Sequence, residues 1–175
     1  MPLHIVLFEP LIPANTGNIA RTCAATNTQL HLIKPLGFST DDKSLKRAGL
    51  DYWEYVDITY YENLKQFFSV NHEGRHYYIT KFAEQVYSDP DYSNVDEDIF
   101  FIFGKETDGL PNELLAENPE RGLKVPMHDD YVRSLNLSNV ATVILYEALR
   151  QQEFGDLNQI GFSGKDTRYP HLNSD

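Results

Sequence analysis

Short apolar runs alternate along the chain with longer stretches whose apolar positions recur at helical spacing. Strands are expected at Leu3–Phe8, Leu30–Ile33, Tyr55–Ile58, Tyr77–Thr80, Ile99–Phe103 and Leu123–Val125. Helices are expected at Thr16–Thr26, Asp42–Arg47, Tyr61–Phe68, Pro111–Glu117 and Leu137–Glu153. That alternation predicts an α/β domain built on a mostly parallel sheet flanked by helices. Ile99–Phe103 is apolar at every position, so it belongs inside the sheet, covered on both faces. The last helix carries more apolar surface than one face accounts for, with Val140, Ala141, Val143, Ile144, Leu145, Ala148 and Leu149. Burial within the subunit or packing against a second copy would each cover it. After Phe154 the chain turns polar and glycine-rich, which predicts a single domain over residues 1–154 and a loosely held tail over 155–175.

Size and composition narrow the function. A chain of 175 residues, 41% hydrophobic and 23% charged, fits one globular domain and is too short for two with sizeable cores. Its longest wholly apolar stretches fall far short of the roughly twenty residues of a membrane helix. The amino terminus, MPLHIVLFEP, has no basic n-region and reads as a strand, so a cytoplasmic protein is expected. The lone Cys23 makes no internal disulfide and is expected to be buried. Fifteen basic residues against 26 acidic ones give a net charge of −11, the wrong sign for holding a phosphate backbone by bulk field. Any nucleic acid must then be held by a local patch and by shape.

Three loops carry the candidate chemistry. The first, PANTGNIAR, follows the first strand and opens the first helix; Asn15 suits an N-cap, and Asn15, Asn18 and Arg21, spaced by three, are expected on one face. The second, FGKETDGLP, follows Ile99–Phe103. Its Gly104 and Gly109 have P-loop spacing, but Leu110-Pro111 stands where a phosphate loop needs Lys-Ser/Thr, which excludes that reading. The third runs from Val125-Pro126-Met127 to RSLNLSN, where Asn136 or Ser138 can cap the last helix. All three lie at strand ends, where parallel α/β sheets bind ligands. A glycine fingerprint for a dinucleotide is missing after the first strand, which argues against a nucleotide-dependent oxidoreductase. His72 and His76, and His128-Asp129-Asp130, lack a metal-site spacing, so no metal is expected.

With NTGNIAR, FGKETDGLP and VPM followed by RSLNLSNVATVILYEALRQ in order, and with DDKSLKRAGLDYW between the first two, the sequence resembles the SPOUT superfamily of RNA methyltransferases. Within it, the resemblance is to the bacterial branch that 2'-O-methylates the wobble nucleotide of tRNA. It implies a C-terminal deep trefoil knot, a homodimer, bound S-adenosylmethionine and a tRNA anticodon stem-loop as substrate. Carried over by position, Tyr78, Gly104, Val125, Met127, Ser134 and Leu135 would hold the cofactor. Arg21 matches the catalytic arginine, with Asn15 and Asn18 beside it, while Glu106, Asn136 and Tyr146 match positions that shape the pocket or place the substrate. Tyr78 is bulkier than the small aliphatic residue expected there.

Methyl transfer from a sulfonium to a ribose hydroxyl needs oxygen, methyl and sulfur in line, and positioning supplies much of the rate. A guanidinium is always protonated, so Arg21 is better suited to orienting the hydroxyl or a phosphate and stabilising alkoxide character than to acting as a base. Lys43, Lys46 and Arg47 form a basic cluster for the RNA, joined near the loops by Lys81, Lys105 and Arg133. Tyr52, Trp53 and Tyr55 offer stacking surfaces, and core packing competes for at least one of them. A non-catalytic RNA-binding protein with the same loops is the alternative from another class.

Overall fold

The computed structural model describes residues 2–41, 43–45, 47 and 51–159. Asp42 and Lys46 of the predicted second helix lie outside the described residues, as does the predicted tail beyond residue 159. The strands are β1 (Leu3–Phe8), β2 (Gln29–Ile33), β3 (Ile58–Tyr61), β4 (Arg75–Ile79), β5 (Ile99–Phe103) and β6 (Gly122–Leu123). They form one sheet in the order β3-β2-β1-β5-β4-β6, parallel at every pairing. The helices are α1 (Pro13–Thr26), the single turns α2 (Lys43–Leu45) and α3 (Asp51–Trp53), α4 (Leu64–Val70), α5 (Asn112–Glu117) and α6 (Leu137–Gln151).

Strand β1 pairs with β2 on one side and β5 on the other, so the strand order reverses between β1 and β5. Loops leaving two such strands diverge to opposite sides of the sheet and open a crevice at their carboxyl ends. The all-apolar β5 sits inside the sheet with every residue buried, as its pattern predicts. One face of the sheet presents Leu3, Ile5, Leu7, Leu30, Leu32, Phe101 and Phe103 to α1 and α6. The other presents Val6, Ile33, Tyr78, Phe100 and Ile102 to Phe67 of α4.

Local chemistry moved several boundaries. The strand expected at Tyr55–Ile58 starts only at Ile58, because Tyr55 and Val56 close the turn after α3 by donating to the carbonyls of Tyr52 and Trp53, at 3.0 and 3.3 Å. The helix expected from Tyr61 begins at Leu64, where Asn63 Oδ1 accepts from the Gln66 amide at 2.8 Å. Helix α1 begins at Pro13, not Thr16, and α5 begins one residue after Pro111.

Residues Ala141, Ile144, Leu145, Ala148 and Leu149 of α6 are buried in this subunit, while Val143 and Tyr146 are each 42% exposed. Part of the wide apolar surface is therefore left at the protein surface. Beyond α6, Leu157 packs against the core, so the start of the predicted tail is held. Burial pushes the Cys23 thiol up to about 12, and this cysteine stays protonated in the core. No helix among the described residues is long and apolar enough to cross a membrane.

Candidate functional site

Three loops meet at the switch point through a relay of side chains. Glu106, in the loop after β5, accepts from the backbone amides of Leu11 and Ile12 at 2.8 and 3.1 Å, and from Asn15 Nδ2 at 3.4 Å. Asn15 Oδ1 in turn accepts from Asn136 Nδ2 at 3.0 Å. Asn136 Oδ1 then caps α6, accepting from the amides of Ser138 and Asn139 at 3.0 and 3.3 Å and from Ser138 Oγ at 2.6 Å. The sequence separations are 95, 94, 91 and 121 residues, so only the fold brings these groups together.

That relay corrects the reading of Asn15 as an N-cap. Ile12 occupies the cap position with no side-chain cap of its own, and the Glu106 carboxylate, supplied from another loop, takes the exposed amides there. A carboxylate is also the favoured charge beside a helix amino terminus. Asn15 is buried, whereas Asn18 and Arg21 are exposed. The three do not share a face: each step of three residues turns about 60° around the helix, and two steps move Arg21 about 120° away from Asn15. Arg21 lies over the Tyr52 ring, its guanidinium carbon 4.9 Å from the centroid.

The glycine loop is tight for steric reasons. A Cβ on Gly104 would lie 2.1 Å from the carbonyl carbon of Gly109 and 2.3 Å from the Leu110 nitrogen, so any side chain there pries the loop open. Gly109 has φ of +70° and forms a bridge with Lys105. Glu9, at the end of β1, is also left-handed at φ +46°, and its carboxylate pairs with Lys105 Nζ at 2.9 Å. The hydrogen bond to Glu9 holds the Lys105 ammonium above its ordinary value.

A cleft of about 400 Å³ opens beside this loop, walled by Tyr78, Phe82, Leu110 and Leu114, with Asp108 and Asn112 as polar groups. Size, apolar walls and a few polar groups fit a nucleoside such as the adenosyl moiety. Of the residues expected to hold the cofactor, Tyr78 lines the cleft, and its large ring, 2% exposed, also fills the core beneath. Gly104 packs directly on the Gly109-Leu110 backbone that forms part of the wall. Val125, Met127, Ser134 and Leu135 do not line it; they lie on the segment leading from β6 to α6. Lys81 Nζ ties that segment to the loop after β4 by donating to the Arg133 carbonyl at 3.1 Å, and the Thr80 amide donates to Leu123 at 3.0 Å.

Lys43 and Arg47 of the basic cluster are exposed. Of the three aromatics expected to stack on RNA, Trp53 packs against the core, Tyr52 lies under Arg21, and Tyr55 is 71% exposed. His72 is exposed and His76 is buried against the Asn71 carbonyl at 2.7 Å. Among the described residues no three His, Cys, Asp or Glu side chains converge as a metal site. Sequence reasoning missed Glu106 as the cap of α1 and Tyr52 as the partner of Arg21, since neither long-range contact leaves a local spacing signal.

A six-stranded parallel sheet whose three carboxyl-end loops are bonded to one another at the switch point makes this a parallel-sheet α/β protein, an architecture shared with the methyltransferase structures it resembles. The chain belongs to the SpoU rRNA Methylase family, which it matches over residues 2–146. A Geobacillus stearothermophilus relative, provisionally designated a tRNA (cytidine(34)-2'-O)-methyltransferase, is 65% identical over 90% of this chain and 100% of its own. The tRNA (cytidine(34)-2'-O)-methyltransferase of Escherichia coli K12 is 44% identical over 85% of this chain and 93% of its own. A solved structure concerned with 2-OH methylation of C/U34 on tRNA is 42% identical, with a TM-score of 0.79 over 86% of this chain and 96% of that one. Two more distant methyltransferase structures, both 22% identical, share the fold and hold AdoMet.

Proposed function

We propose that this protein transfers the methyl group of S-adenosylmethionine to the ribose 2'-hydroxyl of the wobble nucleotide, cytidine or uridine 34, of tRNA. The family description names rRNA, but the relatives that match nearly end to end name tRNA position 34, and they set the substrate. The observation that carries the reading is the relay from Glu106 through Asn15 to Asn136, which gathers the three loops into one site.

The donor supplies a methyl already activated by its positive sulfur, so the protein's work is binding and alignment. Tyr78 and Gly104 are assigned to the adenosyl moiety at the cleft beside the glycine loop, and Val125, Met127, Ser134 and Leu135, on the β6–α6 segment outside the cleft lining, to the rest of the donor. Arg21 and Asn18, exposed on α1, are assigned to the substrate side. There the Arg21 guanidinium orients the hydroxyl or its neighbouring phosphate and stabilises negative charge developing on oxygen. Glu106, Asn15 and Asn136 shape the site by fixing the start of α1 against the start of α6, which sets where Arg21 stands. Lys43, Lys46, Arg47 and Tyr146 are assigned to the anticodon stem-loop, a local contact that works against the net charge of −11.

The reading includes a C-terminal deep trefoil knot. Hydrogen bonds from Lys81 to the Arg133 carbonyl and from Asn136 to Asn15 support it by holding the β6–α6 segment against the loop after β4 and the start of α1. It also includes a homodimer packed through α6, where Val143 remains exposed beside the half-buried Val140, and a single domain over 1–154 followed by a tail. A tRNA substrate sets the compartment as the cytoplasm.

Incubating the purified protein with tRNA and methyl-labelled S-adenosylmethionine tests the proposal. Label at the 2'-oxygen of nucleotide 34 is expected; tRNA binding without label would instead make this a non-catalytic RNA-binding member of the family. Sedimentation tests the dimer, and a monomer at micromolar concentration would remove it.

A further inference from the structure

Arg21 stands on the exposed side of α1 with its guanidinium over the Tyr52 ring, 4.9 Å from the centroid. Among the described residues no carboxylate pairs with it, in a chain where most other arginines of known placement do find one. The carrier of that ring is itself anchored. Tyr52 lies in the single turn α3, whose end is closed by the Tyr55 amide on the Tyr52 carbonyl at 3.0 Å, and the adjacent Trp53 packs against the main core. The ring is 37% exposed and reaches Arg21 across about thirty residues of chain, so this contact is tertiary and not a helix neighbour effect.

We propose that Tyr52 is a positioning residue for Arg21, holding the guanidinium by its face so that its N–H edge stays free for a substrate oxygen. This rests on the assignment of Arg21 given above. The chemistry explains why an aromatic ring suits the task better than an acid. A guanidinium carries five N–H donors in one plane, and a carboxylate partner consumes two of them while neutralising the charge that is needed at the reacting oxygen. A ring attracts the cation through its negative face and takes no donor. An exposed arginine also samples many rotamers, and confining them before the substrate arrives removes an ordering step from the reaction. Tyr52 is then withdrawn from the set of rings that stack on RNA, and Tyr55 remains for that role.

The ring face does the holding, so the phenol oxygen is dispensable. Steady-state methylation of tRNA is therefore expected to keep kcat within about twofold in Tyr52→Phe and to lose about three- to tenfold of it in Tyr52→Leu. The KM for tRNA and the binding constant for S-adenosylmethionine stay unchanged in both. A direct readout needs neither activity nor RNA: the Arg21 Nε–H proton should be shifted upfield by the ring current, a displacement retained in Tyr52→Phe and lost in Tyr52→Leu. Full kcat in Tyr52→Leu, equal damage in both variants, or a loss confined to the KM for tRNA overturns the proposal, and so does an undisplaced Arg21 resonance whatever the activity. Failure of the underlying function looks different: wild-type protein gives no methyl transfer, or Arg21→Ala turns over at the wild-type rate.

Discussion

Lowering the pH should destabilise this protein through a histidine buried far from the loops. His31 of β2 is 3% exposed, with Nε2 3.0 Å from His4 Nδ1 and Nδ1 2.9 Å from the Tyr61 hydroxyl. Phe67 and Phe100 pack around it, with ring centroids 5.8 and 5.7 Å away. Burial among these rings, together with the neighbouring His4, pushes the His31 imidazole down from 6.5 to about 3. Asp98, bonded to His4 at 2.8 Å, opposes the shift without cancelling it. The folded value lies below the unfolded one, so the unfolded chain takes the proton first. Stability is complete above about pH 6.5 and is lost progressively toward about pH 3. At about pH 5 the unfolded histidine is protonated roughly thirtyfold over its neutral form while the folded one is almost wholly neutral, a loss of about 2 kcal/mol. Urea unfolding followed by Trp53 fluorescence at about pH 8 and about pH 5 measures it. His4 and His76 are lowered by burial too, and add to the slope in the same direction. The His31→Gln variant isolates the contribution, since it keeps polar atoms toward His4 and Tyr61 but does not titrate. Its loss on acidification should be smaller than wild type's by about 2 kcal/mol; parallel curves for the two proteins would show that His31 does not carry the pH dependence.

Three further outcomes concern the site. Gly104→Ala places a methyl against the Gly109-Leu110 backbone, so S-adenosylmethionine affinity should fall at least about tenfold by calorimetry; unchanged affinity would mean that the loop's closure does not shape the cofactor site. Glu106→Gln leaves one acceptor for the two amides of Leu11 and Ile12 and should cost about 1 kcal/mol in thermal unfolding, with no cost if water replaces the cap. Arg21→Ala should abolish turnover while S-adenosylmethionine binding persists; loss of binding instead would move Arg21 to the cofactor side.

Elements whose pattern is set by burial were legible in the sequence. The apolar runs Leu3–Phe8 and Ile99–Phe103 are strands β1 and β5 with the predicted limits, because strands covered on both faces admit little else. The boundaries that moved were decided by single hydrogen bonds, such as Asn63 capping α4, which outweigh the propensity of Tyr61 to continue a run. Within the site, the positions of Gly104, Glu106 and Asn136 at strand ends were readable from the loops. Their bonds to one another were not, since a carboxylate capping a helix from 95 residues away has no local signature. His4 and His31 show the same limit. Both alternate with apolar residues along their strands and nothing local says that they meet, yet Phe67 of α4 packs on His31 and the two imidazoles bond to each other beneath it.

Methylation of the wobble ribose by this chain is tested most directly by mass mapping of nuclease fragments of tRNA from cells lacking the gene, and from the same cells given back either the wild-type or the Arg21→Ala chain. The 2'-O-methylation at nucleotide 34 should disappear without the gene, return with the wild-type chain and fail to return with the variant. Methylation that persists at nucleotide 34 without the gene, or that the variant restores in full, would contradict the assignment.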